Sequence, residues 1–368
     1  MEFNVYQRKA INAPESHVVC LAAAASGKTA VLTERVRHLI VDKKVAPSDI
    51  VAITFTKLAA NEMKTRLGDI AEGAFIGTIH SYANNVLLQN GVDTSYYLKN
   101  ELFDDIVKKA VFIMKLKMPK VKHLLVDEFQ DVMPMEFMFL NKIAADNTFY
   151  VGDDRQTIYS FRGSNDEYLR QFCMDPKYAT YVLRINYRNT PDIAAFAEDF
   201  LGSYQALSPS SKTAKQEDGY VDECSFNDAL DALEEDGNWG SWFILCRTNN
   251  QVVKAQELLT ERDIDHVTFK KGDFEEFADL DNILNENRVK ILTIHSAKGL
   301  SAQNVIVTGA KVFNEEERKI SYVAATRAEN ALYWCPGIAG RHYKKDRPQE
   351  KAFVGRRFDK TTVDMVKF

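Results

Sequence analysis

The sequence predicts an α/β protein built as two tandem domains, each with a sheet rich in parallel strands and flanked by helices. Three observations carry this expectation. Short runs rich in Val, Ile and Phe alternate with longer segments of helical period, as βαβ units require. The alternation restarts after residue 175. The chain, at 368 residues, also exceeds the roughly 100 to 200 residues typical of one domain.

In the first unit, strand HVVCLA (17–22) precedes a helix in TAVLTERVRHLIVDK (29–43), and DIVAITF (49–55) precedes KLAANEMKTRLG (57–68). HLLVDE (123–128) and TFYVGD (148–153) add two more strands. MDPK (174–177) then breaks the pattern, so the expected division is 1–175 and 176–335. The second unit reads as ATYVLRI (179–185), a helix in PDIAAFAEDFL (191–201), SWFILC (241–246), a helix in QVVKAQELLTERD (251–263), then VKILTI (289–294), NVIVTG (304–309) and ALYWC (331–335). The polar stretch LSPSSKTAKQEDGY, ending at residue 220, reads as a surface loop.

Composition narrows the class. With 47 Lys plus Arg against 52 Asp plus Glu the net charge is −5, so nucleic-acid binding would need a local basic groove. Five cysteines without a Cys-x-x-Cys pair argue against a zinc site, an iron–sulfur cluster or a disulfide scaffold, and for a reduced, cytoplasmic protein. No signal-like start and no long apolar run is present, so a soluble protein without membrane partners is expected.

Two motifs carry chemistry. LAAAASGKTA (21–30) lies between a strand and a helix, the setting of a phosphate-binding loop. Lys28 would reach the β and γ phosphates and Thr29 would hold Mg²⁺. Backbone amides of the loop, those of Ala24, Ala25, Ser26 and Gly27 among them, supply the cradle together with the positive end of the following helix. Alanine replaces glycine in this loop; an Ala25 forced to φ > 0 costs about 1–2 kcal/mol, enough to weaken nucleotide binding about tenfold. The competing reading is an alanine-rich helix start. At the end of HLLVDEFQD (123–131), Asp127 suits the Mg²⁺ shell and Glu128 suits a general base acting on water.

Together with VGDDRQTIYSFRGSN (151–165), INYRNTPDI (185–193), ILTIHSAKGL (291–300) and YVAATRAEN (322–330), these motifs make the chain resemble superfamily 1 helicases of the UvrD/Rep/PcrA type. The resemblance runs from Gln7 to about Trp334 and implies two RecA-like motor domains using ATP and Mg²⁺. It implies that Gln7 reads the adenine edge and Tyr187 stacks on its face, that Arg188 and Arg327 approach the γ-phosphate from the second domain, and that Gln156 senses it from the first. It further implies that Phe55, Tyr159 and Phe161 stack on unpaired bases, while His80, Arg162, Thr293 and His295 contact backbone or base edges.

The chain departs from the family pattern at Ser301, where relatives usually carry a glutamate that meets the ribose, and at Phe161, where many have Trp. Only 41 residues separate Ser81 from His123, and 24 separate Ile264 from Val289, too few for the accessory domains 1B and 2B. The first interval, a short insertion at about 82–120 containing NELFDDIVKKAVFIMKL and the basic KLKMPKVK, reads either as a vestigial 1B or as a packed helical hairpin with solvated lysines. The second, a minimal insertion at about 265–288 with the acidic KKGDFEEFADLDN, is unsuited to DNA phosphates. The basic tail 336–368 carries nine Lys plus Arg against four Asp plus Glu, suiting either a DNA backbone or solvent.

The expected function is therefore that of a monomeric, ATP-driven, 3′ to 5′ translocase and helicase acting on single-stranded DNA and duplex junctions. Its compactness suggests a phage or mobile-element enzyme. The alternatives are a DNA-stimulated ATPase with little unwinding, and a non-catalytic nucleic-acid-binding module.

Overall fold

A computed structural model describes residues 2–113, 117–164, 166–207, 210, 212–269 and 277–338. The first sheet comprises β1 (His17–Ala22), β2 (Ile50–Thr54), β3 (Phe75–Thr78), β4 (Val121–Val126), β5 (Ala145–Gly152) and β6 (Ala179–Leu183). Their spatial order is β3-β2-β4-β5-β1-β6, and every pairing is parallel. Helices α1 (Val5–Ile11), α2 (Lys28–Val41) and α3 (Lys57–Leu67) contribute to the core over one face. Helices α4 (Ile79–Gln89), α5 (Ser95–Lys99), α6 (Phe103–Phe112), α7 (Pro134–Lys142) and α8 (Glu167–Met174) follow in the same unit.

Burial on both faces explains why β1 and β2 read as unbroken apolar runs. Val18, Cys20 and Ala22 enter the core shared with Val31, Leu32 and Met63. Val19 and Leu21, pointing the opposite way, pack with Val86, Ile106 and Phe139, the period-two alternation of a strand.

A second all-parallel sheet holds β9 (Tyr220–Glu223), β10 (Trp242–Cys246), β11 (His266–Thr268), β12 (Val289–Thr293), β13 (Ala302–Thr308) and β14 (Ala328–Cys335), in the order β11-β12-β10-β13-β14-β9. Between the sheets, β7 (Ile185–Asn186) and β8 (Lys212–Thr213) form a two-stranded ladder. The second unit also contains α9 (Pro191–Leu201), α10 (Phe226–Asp236), α11 (Asn249–Glu261), α12 (Phe277–Asn285) and α13 (Glu315–Ala325). One apolar cluster joins Ala24, Leu58 and Ile158 of the first unit to Ala297, Leu300 and Tyr322 of the second. The two units therefore meet through a shared core.

The two α/β units and their parallel sheets match the sequence expectation; the division at 175/176 does not match the sheets. Strand β6, which the sequence reading assigns to the second unit, pairs with β1 through Val18↔Ala179 to Ala22↔Leu183. After the MDPK break the chain adds one more strand to the first sheet before crossing over. In the expected loop before residue 220, Lys212 and Thr213 form β8 and Tyr220 opens β9. Within the first insertion, α6 buries Ile106, Val107, Ala110 and Val111 in the first unit's core, as a packed helix does. Residues 114–116 of that insertion, 270–276 of the second and the tail from 339 onward lie outside the described residues.

Candidate nucleotide and nucleic-acid site

The loop after β1 is shaped by hydrogen bonds within it and by the helix before it. Ser26 Oγ donates to the Ala23 carbonyl at 2.8 Å, and Gln7 Nε2 donates to the Ser26 carbonyl at 3.0 Å. Gly27 has φ +84°, a left-handed backbone that favours glycine, and a Cβ there would also displace Gln7 Nε2, which would lie 2.8 Å away. Asn4 caps α1, its amide N–H donating to Gln7 Oε1 at 2.9 Å. Its side-chain nitrogen donates to the Tyr187 hydroxyl at 2.6 Å, and the Tyr187 amide donates to the Ala25 carbonyl at 3.1 Å. Gln7 and Tyr187, expected at the adenine, thus both abut the loop.

Helix α2 starts without a side-chain cap, whereas α3, α4 and α11 are capped by Thr56, Thr78 and Thr248. Its first amides stay available to an anion. Ala25 has φ +58°, the left-handed region where alanine is strained and glycine is not. Ala25→Gly is expected to raise folding stability by about 1 kcal/mol, read as a higher midpoint in urea; an unchanged or lower midpoint would contradict the strain.

Across the loop, the carboxylate of Asp127 accepts from Thr29 Oγ1 at 3.0 Å and from the Glu128 amide at 2.9 Å. A hydroxyl and a carboxylate so close form the hard-oxygen pair that Mg²⁺ prefers, the remaining ligands coming from water and phosphate. Among the described residues no group of three or more His, Cys, Asp or Glu could hold a metal. Burial, with help from Glu128, lifts the Asp127 carboxyl to about 6; a cation would reverse this shift.

Glu128 takes φ +48°, a turn that brings its Oε2 to 3.8 Å from Lys28 Nζ. Gln130 Nε2 donates to the same oxygen at 2.6 Å, and Gln130 Oε1 accepts from the Asp153 amide at 3.0 Å. Gln156 Nε2 donates to Asp153 at 2.6 Å. Lys28, Thr29, Asp127, Glu128 and Gln156 accordingly form one connected patch.

From the second unit, Arg188 Nη1 donates to the Thr326 carbonyl at 3.1 Å. Arg327, buried, donates to the carbonyls of Val323 at 2.9 Å and Leu300 at 3.3 Å and to Thr326 Oγ1 at 3.1 Å. None of these acceptors is a carboxylate. Burial, followed by repulsion from Arg188, lowers the Arg327 pKa to about 9, while Glu128 opposes the shift. A buried guanidinium held by two carbonyls and a hydroxyl, within electrostatic reach of Glu128 and of a second guanidinium, suits a polyanion.

The predicted strand contacts include an aromatic cluster and a group gathered around Asp104. Phe55 stacks on Tyr159 at 5.3 Å between ring centroids, while Phe161 lies 6.1 Å from Tyr159 and 5.6 Å from His295. This aromatic cluster spans both units, and Phe161 is 70% exposed. His80 lies nearby only through acid: its Nε2 is 3.0 Å from Asp104 Oδ1, to which Arg162 Nη2 approaches at 3.8 Å. Thr293, two residues before His295, has Oγ1 donating to Ser296 Oγ at 2.9 Å.

Sequence reasoning assigned no role to Lys298 and Tyr322, both inside the quoted motifs. Buried Lys298 donates to Asp131 and, at 2.7 Å, to the Gln156 carbonyl, and its ammonium lies 5.2 Å from the Tyr159 ring centre. It therefore ties the phosphate patch to the aromatic cluster. Buried Tyr322 shares an apolar cluster with Ala24, linking α13 to the phosphate loop. Their motif positions were the available signal; the partners lie too far away in sequence to be paired by spacing.

The UvrD/REP helicase N-terminal domain model matches residues 3–117 and 103–177, and the UvrD-like helicase C-terminal domain model matches residues 276–335. Similar proteins include DNA helicase II of Haemophilus influenzae, 26% identical over 361 residues, covering 70% of this chain and 50% of that protein. The ATP-dependent DNA helicase PcrA of Bacillus subtilis is 24% identical, covering 59% and 41%. The putative ATP-dependent DNA helicase YjcD of the same species is 26% identical, covering 53% and 38%. The alignments span half or less of these relatives' length.

Proposed function

The chain belongs to the UvrD/REP helicase family, and from that premise we propose that it is an ATP-hydrolysing motor that moves 3′ to 5′ along single-stranded DNA and displaces the complementary strand. One observation carries the reading: the second unit brings Arg327 within electrostatic reach of both Arg188 and Glu128, while the aromatic cluster crosses between the same two units. A change in the fit of the two units would therefore act on phosphate and strand together.

In this mechanism Gln7 and Tyr187 hold the base, and the loop amides with Lys28 hold the β and γ phosphates. Thr29 and Asp127 would hold Mg²⁺, which neutralises charge on the phosphates. Glu128 orients a water and takes its proton. Arg188 and Arg327 stabilise the charge that develops on the transferred phosphoryl group, and Gln156 reports its presence. Phe55, Tyr159 and Phe161 give bases stacking surfaces worth about 1–3 kcal/mol each, with His80, Arg162, Thr293 and His295 along the strand.

A second reading, an ATPase that translocates but unwinds poorly, is favoured by the short internal intervals of 41 and 24 residues. Strand displacement from tailed duplexes separates the two. The leading reading expects ATP-dependent release from a 3′-tailed duplex and little from a 5′-tailed one. Stimulated ATP turnover without release from either would select the second.

A further inference from the structure

Ser301 stands just before β13, and Glu329 is the second residue of β14. These strands are neighbours, with Ala302 paired to Ala328, so the register brings the two side chains together. Ser301 Oγ donates to Glu329 Oε1 at 2.6 Å. Lys215 Nζ binds the Glu329 backbone carbonyl and the Asn330 side chain instead of the carboxylate.

The pair lies near the two arginines of the second unit. Glu329 is close enough to Arg188 to act on its charge, and Arg188 follows Tyr187 in the chain. Ser301 follows Leu300, whose carbonyl accepts from Arg327 Nη1 at 3.3 Å. A nucleotide with its base on Tyr187 and its terminal phosphate at the two arginines carries its sugar between them. A carboxylate repels phosphate but accepts from hydroxyls, and Glu329 keeps acceptor capacity beyond the bond from Ser301.

Resting on the ATP-binding reading above, we propose that Glu329, oriented by Ser301, accepts hydrogen bonds from the ribose hydroxyls and so selects ribonucleotides. The carboxylate that the family pattern carries at position 301 is supplied here from the adjacent strand. Ser301 is then a positioning residue, and Glu329 the residue that touches the sugar.

The test is competitive binding of ATP, 2′-deoxy-ATP and 3′-deoxy-ATP to the full chain, with turnover of each measured in parallel. The wild-type protein is expected to favour ATP by about tenfold over at least one deoxy analogue, as for a charge-assisted hydrogen bond. Glu329→Gln should bring that ratio close to one, and Ser301→Ala should lower it part of the way. A wild-type ratio near one, or a Glu329→Gln protein that binds all three more weakly by the same factor, would overturn the proposal. Should the Gln variant fail to fold, Ser301→Ala decides, since an unchanged ratio there contradicts the orienting role. Selective ATP binding without turnover would remove the motor reading alone; no ATP binding would remove both.

Discussion

Replacing Arg327 by lysine is expected to lower strand-stimulated ATP turnover by on the order of 10³-fold, the scale on which a guanidinium at a transferring phosphoryl group acts. The native side chain is fixed by three acceptors, the carbonyls of Val323 and Leu300 and the hydroxyl of Thr326. That arrangement holds a planar fork in one orientation. Lysine preserves the charge but presents a single ammonium and cannot satisfy all three acceptors while reaching a phosphate. ATP binding and circular dichroism are expected to remain near wild type. Turnover within tenfold of wild type would remove Arg327 from the reacting centre.

Glu128→Gln is expected to reduce turnover by on the order of 10² or more, with ATP and strand binding retained. The substitution keeps the shape of the side chain and takes away its ability to accept a proton. In the native site Oε2 lies between Gln130 Nε2 at 2.6 Å and Lys28 Nζ at 3.8 Å, so the carboxylate is oriented as well as charged. Single-turnover hydrolysis at saturating ATP isolates the chemical step. Normal single-turnover rates would transfer the base role to another group.

The parts of the molecule legible in the sequence are those whose signal is local. Strands β1, β2, β10 and β13 are buried on both faces, and their Val- and Ile-rich runs announce it. The strand, loop and helix around Lys28, and the two acids closing β4, could be read from spacing alone. By contrast β9, Tyr-Val-Asp-Glu, lies at a sheet edge with only partial burial, so it carries no apolar run. Strand β6 was visible as a strand, but its neighbour was not. Nothing local in Ala179–Leu183 distinguishes pairing with β1 from opening a new sheet.

The same limit applies to the site. The proposed roles of Lys28, Asp127, Glu128, Arg188 and Arg327 rest on ordered motifs, whereas the bonds around them need the fold. The Lys298–Asp131 bridge spans 167 positions of sequence. Ser301 looks like the loss of a carboxylate until β13 and β14 are set side by side. Asp104 gives no sequence hint that it stands between His80 and Arg162, because a helix start rich in acids is ordinary on electrostatic grounds.

In the proposed mechanism one junction couples phosphate chemistry to strand binding. The decisive measurement is steady-state ATP hydrolysis by the purified chain, with and without a single-stranded oligonucleotide. Slow hydrolysis alone and a many-fold increase with the strand, saturating as the strand binds, are expected. Hydrolysis that is absent, or that does not change while strand binding is demonstrated in the same sample, would contradict it.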